Sequence, residues 1–390
     1  MWNPKPLLLV LSLCISALSS CTAATGGKPL VSAVTKDAAT SLYTAPLKAG
    51  SPLVVDLSGA VISLTTCSSS SGTVTTLTAN ATNGANPLFP VSFPATATCA
   101  PGQPNLPAGA VGTAGLAPSA QSLLAQVART QGVAKKLAIC LPSDGKTTSG
   151  NSVGVVIYGG GPLIFPDRGD FTTMLAGTAP LVGFGGSPGY FFSATGIAMD
   201  GTRAGRPAGS GNLVVGLSST IPYTTLRPDV YAPFVKAFDI AATAPNFPWM
   251  TRVDSVAPFE RCYDSTKLPP TRSGYAVPAI DVILASGSNY TITGGNSMVQ
   301  VNSNTACLGF VQAASGQTAA AVLGGFQMEN RLLVLDAEKR TFGFTTFLNG
   351  QRVGLNVRWT RQQQRRGQSN RRQQYKFINF GQNSSKIQAV

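Results

Sequence analysis

Two stretches of this chain repeat one pattern, and that repetition limits the folds open to it. Leu53-Val54-Val55-Asp56-Leu57-Ser58-Gly59 reads as a buried strand running into a tight turn that presents Asp56. Leu213-Val214-Val215-Gly216-Leu217-Ser218-Ser219-Thr220 has the same character. Each is followed later by an apolar-glycine segment. In the first half this is Val111-Gly112-Thr113-Ala114-Gly115-Leu116, and in the second Val322-Leu323-Gly324-Gly325. The repeat predicts two lobes of similar build. The copies differ in one respect: no Asp or Glu occurs between Asp200 and Asp229. Two carboxylates sharing a proton activate water for peptide hydrolysis, because like charges that close cannot both ionise. One carboxylate cannot act as both base and acid in that scheme.

Composition favours strands. Hydrophobic residues make up 43% of the 390 positions and charged residues 11%, with 42 Gly and 27 Pro. Rich in Ser, Thr and Val as well, such a chain suits short strands and many turns. Its length allows one large domain or two lobes, each with a core. Helical signals are few. Pro118 to Arg129 places Leu123, Leu124 and Val127 on one face. Pro228 suits a first helical turn, with Val230, Phe234 and Phe238 repeating after it and Pro233 expected to distort the start. Gly183-Phe184-Gly185-Gly186-Ser187-Pro188-Gly189 is the turn-rich candidate junction between lobes.

The N-terminus reads as a secretory signal. Lys5 precedes the apolar run Leu7 to Leu18, which is too short to span a bilayer, and Cys21-Thr22-Ala23-Ala24 offers small residues for cleavage. Secretion favours disulfides. The mature cysteines would be Cys67, Cys99, Cys140, Cys262 and Cys307, an odd set that leaves one thiol over. Asn80-Ala81-Thr82, Asn289-Tyr290-Thr291 and Asn383-Ser384-Ser385 are N-glycan acceptor sequons. The formal charge is +14, but nine bases and no acids follow Asn349, so the body carries only +5. This Arg/Gln-rich tail has no apolar period and reads as disordered. Acidic cell-wall polysaccharide is its expected partner rather than nucleic acid, unless it is a translated end foreign to the fold.

The chain contains no histidine. That excludes a Ser-His-Asp triad, a Cys-His pair and His-ligated zinc. The cysteines lack Cys-x-x-Cys spacing, so no metal or cofactor is expected. Gly159-Gly160-Gly161-Pro162 lacks the Lys-Ser/Thr of a phosphate loop and is read as a turn.

Several stretches carry a family resemblance over roughly Pro29 to Phe347. They include Val34 to Tyr43, Leu226-Arg227-Pro228-Asp229-Val230-Tyr231, Val256 to Tyr263, Gly274-Tyr275-Ala276-Val277-Pro278 and Asn296-Ser297-Met298-Val299. Val322 to Asn330, followed by Phe342-Gly343-Phe344, is similar to a closing motif of the pepsin-like aspartic protease superfamily. The chain resembles most closely that superfamily's inactive plant branch, the TAXI-type xylanase inhibitors and related basic 7S globulins.

The resemblance implies a mostly β, bilobal pepsin-like double barrel with a few short helices. The chain reads as four parts: a signal over residues 1–24, lobes over 25–183 and 184–348, and a basic tail over 349–390. The resemblance puts Asp56 on the first catalytic position and Leu217 on the second, a degenerate site. Disulfides Cys67–Cys99 and Cys262–Cys307 are expected. Cys140 would bridge to a terminal cysteine that this chain lacks, leaving it a buried free thiol. The flap hairpin that closes over substrate in pepsin-like enzymes is missing between Cys67 and Ser71, a second argument against proteolysis.

By the same resemblance Leu268 falls where the inhibitors contact a xylanase. Asn349 falls where the strongest of them place a histidine that plugs its cleft. An amide brings no charge to bridge two carboxylates, so weak or altered inhibition is expected. The combined reading is a secreted, monomeric inhibitor of microbial family 11 endo-1,4-β-xylanases in the plant cell wall. An aspartic endopeptidase of reduced competence and a 7S-type binding or storage globulin are the alternatives.

Overall fold

A computed structural model describes residues 27–67, 72–103, 105–143, 153–165, 169–205 and 211–348. The signal segment, Asn383 and the basic tail lie outside the described residues. The chain is mostly strand, in two lobes joined by one sheet.

The joining sheet has six antiparallel strands. Their order is Leu30–Lys36, Gly154–Tyr158, Lys136–Cys140, Leu332–Asp336, Thr341–Phe344 and Gly177–Phe184. Successive side chains of a strand point to opposite faces, and in the central strands both faces are buried. Leu30, Leu137, Ile139, Val156, Leu333 and Leu335 face the main core. Val31, Ala138, Cys140, Val155, Leu332 and Val334 face a second core closed by Leu163, Phe165 and Phe171. That explains why runs such as Leu332-Leu333-Val334-Leu335 are apolar without alternation. Each such side chain contributes about 1.5–3 kcal/mol on burial.

Within each lobe the repeat seen in sequence becomes a repeat of pairing. In the first lobe Ser51–Asp56 runs parallel to Gly112–Gly115, which runs antiparallel to Ile62–Leu64, which runs parallel to Pro87–Cys99. In the second, Leu213–Leu217 runs parallel to Ala321–Leu323. That strand runs antiparallel to Thr224–Leu226, which runs parallel to Phe310–Gln312. The turn-rich stretch at Gly183 to Gly189 is the tip of a hairpin. Gly185 and Gly186 both take positive φ, at 53° and 71°, between Phe184 and Ser187. One arm of that hairpin belongs to the joining sheet, and the other pairs with Leu213–Leu217.

The first predicted helix starts later than Pro118. It spans Leu123–Gln131, because the Ser122 side chain caps it by accepting from the Ala125 amide at 3.3 Å. Leu123, Leu124 and Val127 face the core as expected. The second spans Pro228–Ala242 with Pro228 in its first turn. It runs on through Pro233, burying Val230, Phe234 and Phe238. Disulfides join Cys67 to Cys99 and Cys262 to Cys307, and Cys140 is a buried free thiol. Burial pushes that thiol up to about 12.

One buried cluster was not legible in the sequence. The Tyr43 hydroxyl donates to Glu329 Oε1 at 2.7 Å, and Lys36 Nζ pairs with the same oxygen at 2.8 Å. Gly325 makes room for the Tyr43 ring; a Cβ there would lie 2.4 Å from it. The cluster ties first-lobe strands to the chain just after the helix Gly325–Met328 of the second lobe. Removing one partner of a buried pair strands the other charge. Glu329→Gln should therefore lower unfolding stability by about 3 kcal/mol. Denaturant melts of the two proteins test this, and an unchanged midpoint would contradict it.

Candidate functional site

Asp56 ends its strand where that strand lies against Gly115. Gly115 is required there, since a Cβ would fall 2.3 Å from the Val61 carbonyl and 2.5 Å from that of Gly59. The carboxylate is held by its own turn. Asp56 Oδ1 accepts from the Ser58 amide at 2.9 Å and from the Ser58 hydroxyl at 2.7 Å.

The second lobe repeats this turn with a hydroxyl in place of the carboxylate. Ser218 Oγ accepts from the Thr220 amide at 3.4 Å and shares a 3.0 Å hydrogen bond with the Thr220 hydroxyl. Ser218 follows Leu217, which pairs with Leu323, just as Asp56 follows Val55, which pairs with Ala114. A Cβ on Gly324 would meet Tyr223 backbone at 2.4 Å, as one on Gly115 meets Val61. Tyr223 and Val61 each lie five positions beyond Ser218 and Asp56. The two turns touch: Ser58 Oγ lies 3.5 Å from Ser218 Oγ.

Next to Ser218, the hydroxyl of Ser219 bridges the lobes. It donates to the Val55 carbonyl at 2.6 Å and accepts from the Leu57 amide at 3.0 Å. Those two backbone groups flank Asp56. Tyr190 adds a second tie, donating to the Leu116 carbonyl at 2.7 Å.

The residue opposite Asp56 is therefore Ser218, which corrects the expectation of Leu217. Leu217 is only 2% exposed and packs in the main core. In a strand a shift of one residue moves a side chain to the other face. In sequence Ser218 stands out only as part of the second repeat. The signal that could have found it is the equal spacing from Asp56 to Ile62 and from Ser218 to Thr224, the start of each lobe's next strand in the repeat.

Chemically the site holds one carboxylate and neutral hydroxyls. A serine hydroxyl does not ionise in the range where carboxylates exchange protons. No group of three or more His, Cys, Asp or Glu among the described residues could hold a metal ion. Residues 65–72 alone separate the strand Ile62–Leu64 from Thr73–Thr82. The hairpin that follows is tied at its tip, the Ile164 amide donating to the Gly84 carbonyl at 2.9 Å. Residues 68–71, where the missing flap was placed, lie outside the described residues.

The other predicted residues scatter. Leu268 is buried, at 3% exposure, inside the main core, which corrects its reading as a partner contact. The segment folds its leucine inward to that core. Asn349 lies outside the described residues. Asn289 is exposed at the start of a strand, and Asn80 is half-buried within the strand Thr73–Thr82. No described helix is long and apolar enough to cross a membrane.

Two family descriptions match this chain. Xylanase inhibitor N-terminal covers residues 43–160, and Xylanase inhibitor C-terminal covers residues 189–346. The chain is 44% identical to Chitinase CLP of Oryza sativa subsp. japonica, over 89% of this chain and 96% of that protein. It is 31% identical to Probable aspartic proteinase GIP2 of Nicotiana benthamiana, over 62% of this chain and 57% of that one. Its fold is similar to the crystal structure of edgp, with a TM-score of 0.73 and 26% identity over 85% of this chain and 98% of the other. Basic 7S globulin from soybean shares the fold, with a TM-score of 0.69 and 23% identity over 84% and 97%.

The Ser219 bridge yields a test. Ser219→Ala would leave a buried amide and a buried carbonyl without partners, costing about 2 kcal/mol. Thermal melts should show a clear fall relative to the parent; an unchanged melting temperature would mean the bridge carries no load.

Proposed function

The chain belongs to the xylanase-inhibitor family, and from that membership we propose that it is a non-proteolytic, pepsin-like protein that acts by binding. Its proposed target is a microbial family 11 endo-1,4-β-xylanase, whose cleft it occludes. One observation carries the non-enzymatic part: a neutral Ser218 hydroxyl stands opposite Asp56. A water between them would meet a single titrating group, which cannot both take its proton and protonate the departing amine. The short 65–72 connection supports the same reading, because proteolysis needs a lid that excludes water.

Binding cannot use Leu268 or a histidine. Leu268 is committed to the core, and the chain has no histidine to enter a cleft. Asn349 remains a candidate, one residue beyond Leu348, whose amide donates to the Asn330 carbonyl at 2.7 Å. An amide there would hydrogen-bond to cleft carboxylates without neutralising them. Secretion to the cell wall, a monomeric state, glycans on Asn80 and Asn289, and polysaccharide binding through the basic tail complete the proposal. The likeness to a protein named a chitinase does not make glycoside hydrolysis the better reading, since that chemistry ordinarily uses a pair of carboxylates.

Two assays on the secreted protein test the proposal. Titrated into a family 11 xylanase, it should remove activity in proportion to the amount added. In the absence of xylanase, its hydrolysis of peptides at acid pH should not exceed that of Asp56→Asn. Full xylanase activity at excess protein would reject the inhibitor reading. Peptide hydrolysis lost in Asp56→Asn would reject the non-proteolytic one.

A further inference from the structure

The helix Pro228–Ala242 buries Val230, Phe234 and Phe238, with Phe234 against Phe310 at 4.8 Å between ring centroids. Its outer face helps form a cleft of about 570 Å³, separate from the Asp56 groove. That size falls within the range of small-molecule sites.

The polar wall of the cleft is prearranged. Asp239 holds Arg261 Nε through both oxygens, at 2.9 and 3.0 Å, and accepts from Arg252 Nη1 at 3.0 Å. Glu260 pairs with Arg261 Nη1 at 3.3 Å. These two acids and two arginines cancel in charge. Lys236 does not belong to that set, and among the described residues it has no ion pair or hydrogen bond. Burial first, and Glu260 second, push the Tyr231 hydroxyl up to about 12, so it stays protonated across the physiological range. One side of the cleft is apolar: Val235 lines it, and Ile240 lies 61% exposed at its edge.

From this arrangement we propose that the cleft binds a small polyhydroxylated carboxylate, a uronic-acid sugar being the class that fits. Lys236 supplies a point charge for one carboxylate. Asp239, Glu260 and Gln312 retain acceptor sites and amide donors that suit hydroxyl groups. Ile240 offers a surface for the C–H face of a ring. With Asp239 and Glu260 neutralised by the arginines, Lys236 leaves one unmatched positive charge, which suits a single carboxylate rather than a dianion such as phosphate. The inference is independent of the xylanase reading and uses residues outside the groove.

The test is methyl NMR on the full chain, with Ile240 assigned through Ile240→Val. Titration with galacturonate, which carries a single carboxylate, should shift the Ile240 methyl signal to saturation. Neutral xylotriose and inorganic phosphate should not. Lys236→Ala should weaken binding about tenfold, the worth of one charge-assisted hydrogen bond, while Lys236→Arg largely retains it. Both residues are exposed, so the variants should fold, as circular dichroism would check. Three results would overturn the proposal: no saturable shift at Ile240, an equal response to xylotriose or phosphate, or unchanged affinity in Lys236→Ala. The last would assign the binding to other basic residues.

Discussion

The arrangement of the groove rests on one hydroxyl. Ser219 reaches across the lobe boundary and satisfies the carbonyl before Asp56 and the amide after it. Both groups are buried, and both would be costly to leave unmade. With the turns locked together this way, the residues at their tips have no freedom of register. Ser218 must face Asp56, and Leu217 must point back into the core beside its neighbours. What looks like a loss of catalytic equipment is thus a change of side chain on an intact frame. The frame keeps its glycines at 115 and 324, its paired turns and its strand order.

Much of the fold is legible in the sequence. The apolar strands, the glycine segments after them and the two helical faces all follow from local periodicity. The joining sheet's unbroken apolar runs were visible too, although only the packing explains them, since both faces are covered. Burial depends on distant segments, and there local reading failed. Leu268 sits in a stretch rich in turn formers, and nothing in its neighbours announces that it folds inward. Tyr43, Lys36 and Glu329 lie at opposite ends of the chain, so no window of sequence contains their cluster.

The error at Leu217 is instructive for a different reason. Leu-Val-Val-Asp-Leu-Ser and Leu-Val-Val-Gly-Leu-Ser differ only at the fourth letter, and that match sets Gly216 against Asp56, two residues short of Ser218, with Leu217 one short of it. The second strand enters its turn later relative to that lettering, so the residue at the tip is a serine. Side chains alternate along a strand, and a single-residue slip exchanges core for groove. Pairing across the sheet settles such a slip; composition does not.

Charge divides the molecule along similar lines. Most of its basicity lies after Asn349, while the folded body pairs many of its charges locally, as around Asp239. The central claim concerns a position of no charge at all, the hydroxyl opposite Asp56. A crystal structure of the Ser218→Asp variant tests it most directly. The account predicts an undisturbed fold, with the introduced carboxylate in the groove and one of its oxygens within hydrogen-bonding distance of the Asp56 carboxyl. A carboxylate turned into the core, or a groove lined by Leu217 instead, would contradict it.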